Sequence, residues 1–268
     1  MCAHYVKFAC IFVLMFACEG ILGEWTCLPD KCVKSHSVSH DWDYLQFVVQ
    51  WPQSVCLQFN YTGGYDRPHH HKTKKCIIPS NIRNWTIHGT WPTKTGTLSP
   101  QCCNNSWTFT MGVIDDLVPE MNQSWPNLFV GGALGSFWCH EWGAHGTCCA
   151  NLPALYGEHN YFSKTMDLRQ KFDIDNILSD AGIVPSLSTR YKLTDIQQAV
   201  QNATGAIPNL SCFFLPKKKG SLQYLSEIRL CLDETFEPRD CPVHSGNSSS
   251  NTLIGCKPSV GISLPPIS

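Results

Sequence analysis

The chain has 268 residues, of which 43% are hydrophobic, and this length suits one large domain with a sizeable core. Charged residues make up only 15% of it, and the formal net charge is −1. This balance excludes a polybasic coat that grips nucleic acid over a whole surface, so any contact with RNA or DNA must be local, at a cleft.

The first segment has the features of a leader. Lys7 is followed by the apolar run FACIFVLMFAC and then by small residues up to Gly23. A basic start, about ten apolar residues and a small-residue exit are typical of a secretory signal peptide, whereas a membrane span needs about 20 apolar residues. We therefore expect a signal peptide over residues 1–23 and a single secreted domain over residues 24–268, with no membrane insertion.

Cysteines and glycosylation signals agree with secretion. Three of the sixteen cysteines lie in the leader, which leaves thirteen for the secreted chain. Most should be paired in an oxidising compartment, and the odd one is either free or able to link a monomer into a covalent dimer. N-x-S/T sequons predict a glycoprotein. They lie at Asn60, Asn84, Asn104, Asn122, Asn202, Asn209 and Asn247.

Two short strands are predicted in the first third of the chain. LQFVVQWP (residues 45–52) and NWTIHGTWP (residues 84–92) are rich in β-branched and aromatic residues, and each stops at proline. Asn84 therefore falls inside an apparent strand. The polar loop between them contains HHH at residues 69–71, which could bind a metal or a polyanion but is more typical of a solvated loop.

Helices are predicted in the middle of the chain. MGVIDDLVPEM has the pattern of a short helix broken near Pro119, and residues 135–152 have the apolar spacing of a single helix. Residues 160–182 carry further buried stripes. In TDIQQAVQNATG, Thr194 is the expected N-cap and Gly205 the expected stop.

The last part of the chain contains the strand SEIRLCL and then a Ser-, Asn- and Pro-rich region. The terminal SLPPIS is expected to be a flexible, frayed tail. Short strands interleaved with helices, without regular βαβ spacing, predict an α+β fold rather than a doubly wound sheet.

The densest group of chemically active residues is FWCHEWGAHGTC, at residues 137–148. A zinc protease motif needs HExxH, with two histidines four positions apart on one helix face. Here His140 and His145 are five positions apart, and Ala144 stands where the second ligand belongs. On a helix the two imidazoles diverge by about 140°. On this geometry a zincin is excluded, and we expect no metal and no other cofactor.

Helical spacing instead brings Glu141 and His145 to one face. A carboxylate beside an imidazole holds its tautomer and stabilises its charged form, as general acid–base catalysis requires. Phosphoryl transfer needs a second group, and His88 in TIHGTWP is the natural one. Gly89 leaves room beside it, and Trp91 offers a flat face that is either plain core or a platform for a nucleobase.

TIHGTWP, followed about fifty residues later by FWCHEWGAHGTC, resembles the two catalytic blocks of the ribonuclease T2 family. WPQSVC at residues 51–56 also matches, and order and spacing agree from about residue 41 to Cys256. The resemblance implies an α+β, disulfide-rich fold with a central antiparallel sheet flanked by helices. It also implies a metal-independent endoribonuclease that cleaves single-stranded RNA through a 2′,3′-cyclic phosphate.

The resemblance assigns roles position by position. His145 corresponds to the base that activates the ribose 2′-hydroxyl, and His88 to the acid that protonates the departing 5′-oxygen. His140 corresponds to a phosphate-binding histidine, Glu141 to the catalytic carboxylate, and Trp91 to a base-stacking residue. Two histidines with an ordinary pKa near 6.5 predict a bell-shaped activity profile in the weakly acidic range.

Two positions depart from the family pattern. Thr90 replaces a leucine, which is a packing change. Ala144 replaces a lysine that stabilises charge on the pentacovalent phosphorus, and loss of one such donor can cost ~10²–10³ in rate. The run KKK at residues 217–219 could supply a cation only if the fold brings it to the site, and such runs are usually soluble loops.

The resemblance also implies four disulfides, which are Cys56–Cys76, Cys103–Cys148, Cys212–Cys256 and Cys231–Cys241. Outside this framework Cys27–Cys32 is an easy local pair. Among Cys102, Cys139 and Cys149 we expect one bond and one unpaired thiol. A nucleophilic Cys139 paired with His140 is disfavoured, because adjacent helical side chains point about 100° apart.

Two functional hypotheses follow. The first is a secreted, glycosylated ribonuclease with single-stranded RNA as its partner. The second takes Ala144 as a mark of decay and predicts a ribonuclease-shaped glycoprotein that acts by binding a cell-surface receptor or through its glycans. The extra cysteines and dense sequons also resemble those of ribonucleases secreted by parasitic-worm eggs, in which RNA cleavage would act on a host cell and both hypotheses could hold together.

Overall fold

The structure, a computed structural model, describes residues 26–29, Cys32 and residues 41–62, 75–130, 135–217, 220–242 and 254–268. The expected signal peptide, the HHH segment, Lys218, Lys219 and Asn247 lie outside these ranges. Within them, no helix combines the length and the apolar character that a membrane crossing requires.

In the described residues, short strands and helices are mixed up to α3, after which three more helices precede the last five strands. The helices are α1 (Pro52–Tyr61), α2 (Val118–Ser124), α3 (Ser136–Ala144), α4 (Glu158–Lys171), α5 (Ile174–Asp180) and α6 (Leu193–Thr204). The strands are β1 (Thr26–Cys27), β2 (Tyr44–Gln50), β3 (Lys75–Cys76), β4 (Thr86–Thr93), β5 (Phe109–Thr110), β6 (Phe129–Val130), β7 (Asn209–Lys217), β8 (Gly220–Leu232), β9 (Pro238–Arg239), β10 (Ile254–Gly255) and β11 (Ile262–Ser263).

A seven-stranded sheet forms the centre of the fold. Its main path runs β10-β7-β8-β2-β4, with β9 and β11 both pairing with β8. The pairs along the path are antiparallel, and β11 joins β8 in parallel. Every residue of β2 is buried, as expected for a strand covered on both faces. With helices α1, α2 and α4 packed against its strands, this sheet confirms the predicted α+β fold class.

A β-bulge lies in the TIHGTWP segment of β4. Val48 of β2 pairs with Gly89 and the next residue, Val49, pairs with Ile87, so His88 is the extra residue on β4. Ile87 is fully buried, as the core face requires. Because the bulge interrupts the strict alternation of side chains, His88 and Gly89 can both lie at the same face of the sheet.

Several predicted element boundaries were wrong, for physical reasons. Pro119 does not break a helix but lies in the first turn of α2, where a missing N–H costs little. Helix α3 stops at Ala144 and a short 3₁₀ turn follows, so residues 135–152 are not one helix. Thr194 lies inside α6, whose N-cap is Lys192, although the predicted stop is correct.

The strands that end in proline also differ from the prediction. Pro92 lies inside β4, which continues to Thr93, whereas Pro52 is the first residue of α1. Asn84 precedes β4 and is exposed, so it is not inside a strand.

The C-terminal segment is packed, so the expected frayed tail is wrong. Leu264 is only 2% exposed. The Trp51 indole N–H donates to the Pro265 carbonyl at 2.8 Å, and the Ser268 amide donates to Gln53 at 3.2 Å. Apolar burial and these hydrogen bonds outweigh the entropy that would otherwise free a chain end.

The four disulfides implied by the resemblance are all present. The predicted Cys27–Cys32 pair is wrong, because β1 pairs with β5 and the two cysteines reach different partners. Cys27 bonds Cys139 and Cys32 bonds Cys102.

Cys149 is the free cysteine of the described residues. It is fully buried, and burial raises the pKa of its thiol to about 12. The expected bond within the set Cys102, Cys139 and Cys149 is therefore absent. A covalent dimer through Cys149 is also excluded by its burial.

Candidate active site

Strand β4 supplies the first half of the site. The Trp125 indole N–H donates to the backbone carbonyl of His88 at 2.9 Å, which holds the bulge in place. Trp91 lies farther along the strand, and its indole N–H donates to Glu141 Oε2 at 2.8 Å. This bond needs a glycine at position 89, because a Cβ there would lie 2.1 Å from Glu141 Oε2.

Helix α3 supplies the second half. The fully buried Trp138 anchors it through a hydrogen bond from its indole N–H to the Trp125 carbonyl at 2.8 Å. Glu141 is fully buried, whereas His140 and His145 are partly exposed. The bond between Cys103 and Cys148 pins the turn that follows the helix, so His145 is fixed just beyond the helix end.

The fold brings all five predicted site residues together. His88 Nε2 lies 3.9 Å from Glu141 Oε1. The ring centroid of Trp91 lies 4.8 Å from that of His88 and 5.2 Å from that of His145. The rings of His140 and His145 are 6.1 Å apart. Two imidazoles therefore border a common cleft with a buried carboxylate between the strand and the helix.

The premise that helical geometry separates His140 from His145 is wrong. Because α3 ends at Ala144 and His145 has φ −123°, His145 does not follow the helical rotation. Side-chain nitrogen and oxygen atoms of His140, Glu141 and His145 lie within 4.8 Å of one another. Their spacing in sequence thus does not by itself exclude a metal.

Strand β8 adds two residues that the sequence analysis missed. His88 Nδ1 is 2.7 Å from Oε1 of Glu227, which is 2% exposed. Arg229 donates to Glu227 Oε2 through Nε at 3.1 Å and Nη2 at 2.7 Å. Its guanidinium also lies 5.3 Å from the centre of the Trp91 ring. Arg229 is thus a cation at the site, whereas the sequence offered no clear substitute for the lysine replaced by Ala144.

A signal for these two residues existed in SEIRLCL. Glu227 and Arg229 are two positions apart on a predicted strand, so they share one face, and charged groups in an otherwise apolar strand need a partner. Only the sheet order reveals that partner. Phe137 was also overlooked, and its ring lies 5.7 Å from that of His88.

The electrostatics of His88 and Glu227 are coupled. Desolvation lowers the pKa of His88, but the hydrogen bond and charge of Glu227 and the charge of Glu141 outweigh it and raise that pKa. Desolvation also raises the pKa of Glu227, but the Arg229 charge and the bond to His88 lower it to about 2. The pair therefore consists of a carboxylate and an imidazole that holds its proton above the ordinary range, so the expectation of two unperturbed histidines is wrong for His88.

Ala144 is enclosed rather than open to the cleft. It is fully buried and packs with Cys32 and Cys102 in one apolar cluster, beside Leu28. The amide of Cys102 also donates to the Ala144 carbonyl at 3.0 Å. The space next to this position is therefore filled by a disulfide.

The other residues singled out from the motifs serve the packing and bonding of the fold. Trp138 and Trp142 are 2% exposed and belong to the core, as predicted. Thr90 is buried and accepts a hydrogen bond from Thr165 at 2.9 Å between the hydroxyls, which explains how a polar residue fits at that position. Cys139 is bonded to Cys27, so it offers no thiol nucleophile.

Comparison with known proteins relates this cleft to an established family. A model of the Ribonuclease T2 family matches residues 42–241. Ribonuclease Oy of Magallana gigas is 37% identical over 202 residues, covering 75% of this chain and 88% of that protein. Ribonuclease T2 of Danio rerio is 33% identical over 254 residues, covering 93% of this chain and 88% of that protein.

Solved structures are similar as well. The crystal structure of RNase NT in complex with 5′-AMP matches with a TM-score of 0.65 and 30% identity, over 85% of this chain and all (100%) of that one. Human RNase T2 matches with a TM-score of 0.65 and 31% identity, over 84% of this chain and 99% of that one. The family match includes both β4 and α3, which carry the cleft.

Proposed function

Because the chain belongs to the ribonuclease T2 family and its function is that of an endoribonuclease, we propose that it cleaves single-stranded RNA by metal-independent transesterification through a 2′,3′-cyclic phosphate. One observation carries this proposal. Two histidines from separate segments, His88 and His145, flank one tryptophan and one buried carboxylate in a single cleft.

In the first step His145 takes the proton of the ribose 2′-hydroxyl, and the 2′-oxygen attacks phosphorus. The bond from phosphorus to the 5′-oxygen breaks, and His88 donates a proton to that oxygen as it leaves. The products are a 2′,3′-cyclic phosphate and a free 5′-hydroxyl. In the second step the roles reverse. His88 takes a proton from water as the water oxygen attacks phosphorus, and the bond from phosphorus to the 2′-oxygen breaks as His145 returns a proton to that oxygen, which leaves a 3′-phosphate.

The neighbouring groups suit this division of work. The raised pKa of His88 favours a protonated imidazole, as an acid requires. His140 lies beside His145 and is proposed to bind the phosphate. The aromatic rings of Trp91 and Phe137 are proposed to contact bases. Relatives crystallised with 5′-AMP and 5′-GMP support nucleotide binding in this fold.

Metal independence rests on the same geometry. The two imidazoles can perform both proton transfers, so the reaction needs no metal-bound water. One oxygen of Glu141 is also engaged by the Trp91 indole N–H. Full activity in EDTA is the expected result, and strong inhibition by EDTA that zinc reverses would contradict this part of the proposal.

We further propose that the domain is secreted after loss of residues 1–23 and is glycosylated. Six disulfides suit an oxidising compartment. Four of the sequon asparagines are exposed, namely Asn60, Asn84, Asn122 and Asn202. Asn209 is partly buried in β7 and donates to the Pro242 carbonyl at 3.3 Å, so we expect it to be glycosylated least.

The catalytic roles are tested with His88→Ala and His145→Ala, measured on a single-stranded RNA across pH 4 to 8. Each variant should lose at least about 10²-fold in kcat/KM, because each removes one proton-transfer group. His159→Ala is the matched control, since His159 is an exposed histidine paired with Asp116. Activity of either cleft variant near that of the control would contradict the assignment.

The same variants test the alternative function. If the protein acts by binding a receptor or through its glycans, wild-type turnover should be near background and its effect on cells should persist in His88→Ala. Analysis of the wild-type products for a 2′,3′-cyclic phosphate end distinguishes transesterification from direct hydrolysis.

A further inference from the structure

A line of contacts runs from strand β8 to the proposed acid. Glu227 accepts from His88 Nδ1 at 2.7 Å with one oxygen and binds Arg229 with the other. The Arg229 side chain is 18% exposed, and its guanidinium lies over Trp91. These contacts connect Glu227 and Arg229, which lie outside the family motifs, to His88 and Trp91, which lie inside them.

We propose that Glu227, held in place by Arg229, is a positioning residue that orients His88 for proton donation and acceptance at Nε2. The proposal rests on the function of His88 as the acid proposed above. Glu227 does not lie where it could replace the acid itself, because it meets the ring at the opposite nitrogen.

The geometry fixes which nitrogen works. A carboxylate at 2.7 Å from Nδ1 keeps a proton on that nitrogen in both protonation states of the ring. Nε2, which lies 3.9 Å from Glu141 Oε1, is then the nitrogen that exchanges its proton. It can give a proton to the 5′-oxygen in the first step and take one from water in the second.

Arg229 makes the buried carboxylate tolerable. A Glu227 side chain that is only 3% exposed would normally lose its charge, because desolvation favours the neutral acid. Two N–H groups on one oxygen stabilise the charge and also fix the plane of the carboxylate. The other oxygen is therefore aimed at the imidazole.

The charged groups facing His88 come from two elements. They are Glu227 and Arg229 from β8 and Glu141 from α3. The two carboxylates favour the imidazolium and Arg229 opposes it, so removal of the Glu227 charge must lower the pKa of His88. A salt bridge with no part in proton transfer would change that titration but leave the pH profile of kcat/KM unchanged.

The test is Glu227→Gln, which keeps the size of the side chain and removes its charge. We expect the pKa of His88, followed by NMR of the ring, to fall below its wild-type value. The alkaline limb of kcat/KM should move to lower pH in the same direction, since His88 must be protonated to act. At the optimum, kcat should fall by about 10- to 10²-fold, the range typical of a lost orienting partner.

The matched control is Glu237→Gln, which removes a carboxylate from an exposed salt bridge with Lys171. It should leave both the His88 titration and the pH profile unchanged. A folded Glu227→Gln protein with a wild-type His88 titration would overturn the proposal.

Failure of the proposed function has a different signature. If His88 is not the acid, His88→Ala retains activity, while the NMR titration still reports whether Glu227 acts on the ring. A lowered His88 pKa with no change in the pH profile of kcat/KM would therefore contradict the catalytic role of His88 and, with it, the positioning role of Glu227.

Discussion

Helix α3 borders two regions that differ in the interactions holding them together. In the cleft region, Glu141 meets two residues of β4, through a hydrogen bond from Trp91 and a charged contact with His88. In the covered region, Cys139, Gly143 and Ala144 lie beneath the N-terminal segment and are held there by disulfides and close packing. A Cβ on Gly143 would lie 2.5 Å from Pro29 Cδ, which shows that the N-terminal segment packs closely against α3.

The difference shows why Ala144 has two interpretations. From the motif alone, an alanine at this position is a missing cation in the cleft region. In the structure the residue belongs to the covered region, where a disulfide occupies its surroundings. Among the described residues, Arg229 of β8 places its guanidinium over Trp91, where it is paired with Glu227.

The largest effect on the cleft region is expected from Gly89→Ala. The added Cβ would lie 2.1 Å from Glu141 Oε2 and 2.6 Å from Trp91 Nε1, so the hydrogen bond between them must break. We expect kcat/KM to fall by about 10²–10³-fold, because a preorganised group of the site is displaced. Steady-state cleavage of a single-stranded RNA measures this loss.

Gly112→Ala is the matched control for that substitution. A Cβ at Gly112 meets no atom within 4 Å. It should leave kcat/KM within about twofold of wild type. If Gly89→Ala were equally active, the tight contact between β4 and α3 would not matter for catalysis.

A smaller effect on activity but a clear loss of stability is expected from Ala144→Lys. A lysine there must displace the Cys32–Cys102 bond or bury its charge, and we expect a loss of about 3 kcal/mol in the free energy of unfolding. It should not raise kcat/KM, contrary to what the family motif alone suggests. Urea denaturation and RNA cleavage measure the two quantities, with the exposed Ala203→Lys as the control.

The covering disulfide can be removed to test this explanation. The double variant Cys32→Ala, Cys102→Ala should lose about 2–4 kcal/mol by itself. In that background Ala144→Lys should cost less, because the lysine has room, and the two changes should show favourable coupling. Additive losses, or a rate gain of tenfold for Ala144→Lys in the wild-type background, would contradict the covered-region explanation.

The two regions also differ in how far the sequence could predict them. His88, Trp91, Glu141 and His145 could be singled out by residue type and position in two short blocks, because acid–base chemistry needs few groups, whereas only the family resemblance added His140. Glu227 could not be joined to His88 in this way, since the contact depends on the order β8-β2-β4 and on the bulge at His88. Long-range strand pairing is not encoded by any local pattern.

The covered region was predicted poorly for a related reason. A short spacing made Cys27–Cys32 the simplest pair, but β1 pairs with β5 and carries Cys27 to α3. The C-terminal prediction failed because composition alone suggested a polar tail. Its few apolar residues, such as Ile262 and Leu264, are buried in the fold.

The smallest expected effect concerns two buried carboxyl groups, Glu227 inside the cleft region and Glu158 outside it. Glu227 in the cleft has its pKa lowered to about 2, mainly because the Arg229 charge overcomes desolvation. Glu158, which borders a groove beside Trp142, has its pKa raised to about 7 by desolvation, although the Thr110 amide donates to both of its oxygens at 3.0 Å. Glu227, which is paired with a cation, is thus ionised. Glu158, to which the Thr110 amide donates, holds its proton to near neutrality.

These shifts have opposite consequences for stability. The stabilisation by Glu227 is present above the ordinary carboxyl pKa and is lost as the pH falls through about 2.

For Glu158 the native state binds the proton more tightly than the unfolded chain, so stability is highest below a pH of about 4.5 and is lost as the pH rises through about 7. Glu158→Gln should abolish a decline of about 2 kcal/mol across that window, less than the full linkage value of about 3 kcal/mol because solvent in the bordering groove screens the carboxyl. Urea denaturation at several pH values measures the decline, with the exposed Glu234→Gln as the control. If the wild-type protein showed no such decline, Glu158 would be ionised when buried, and the Arg229 cation would not be what separates the two carboxyl groups.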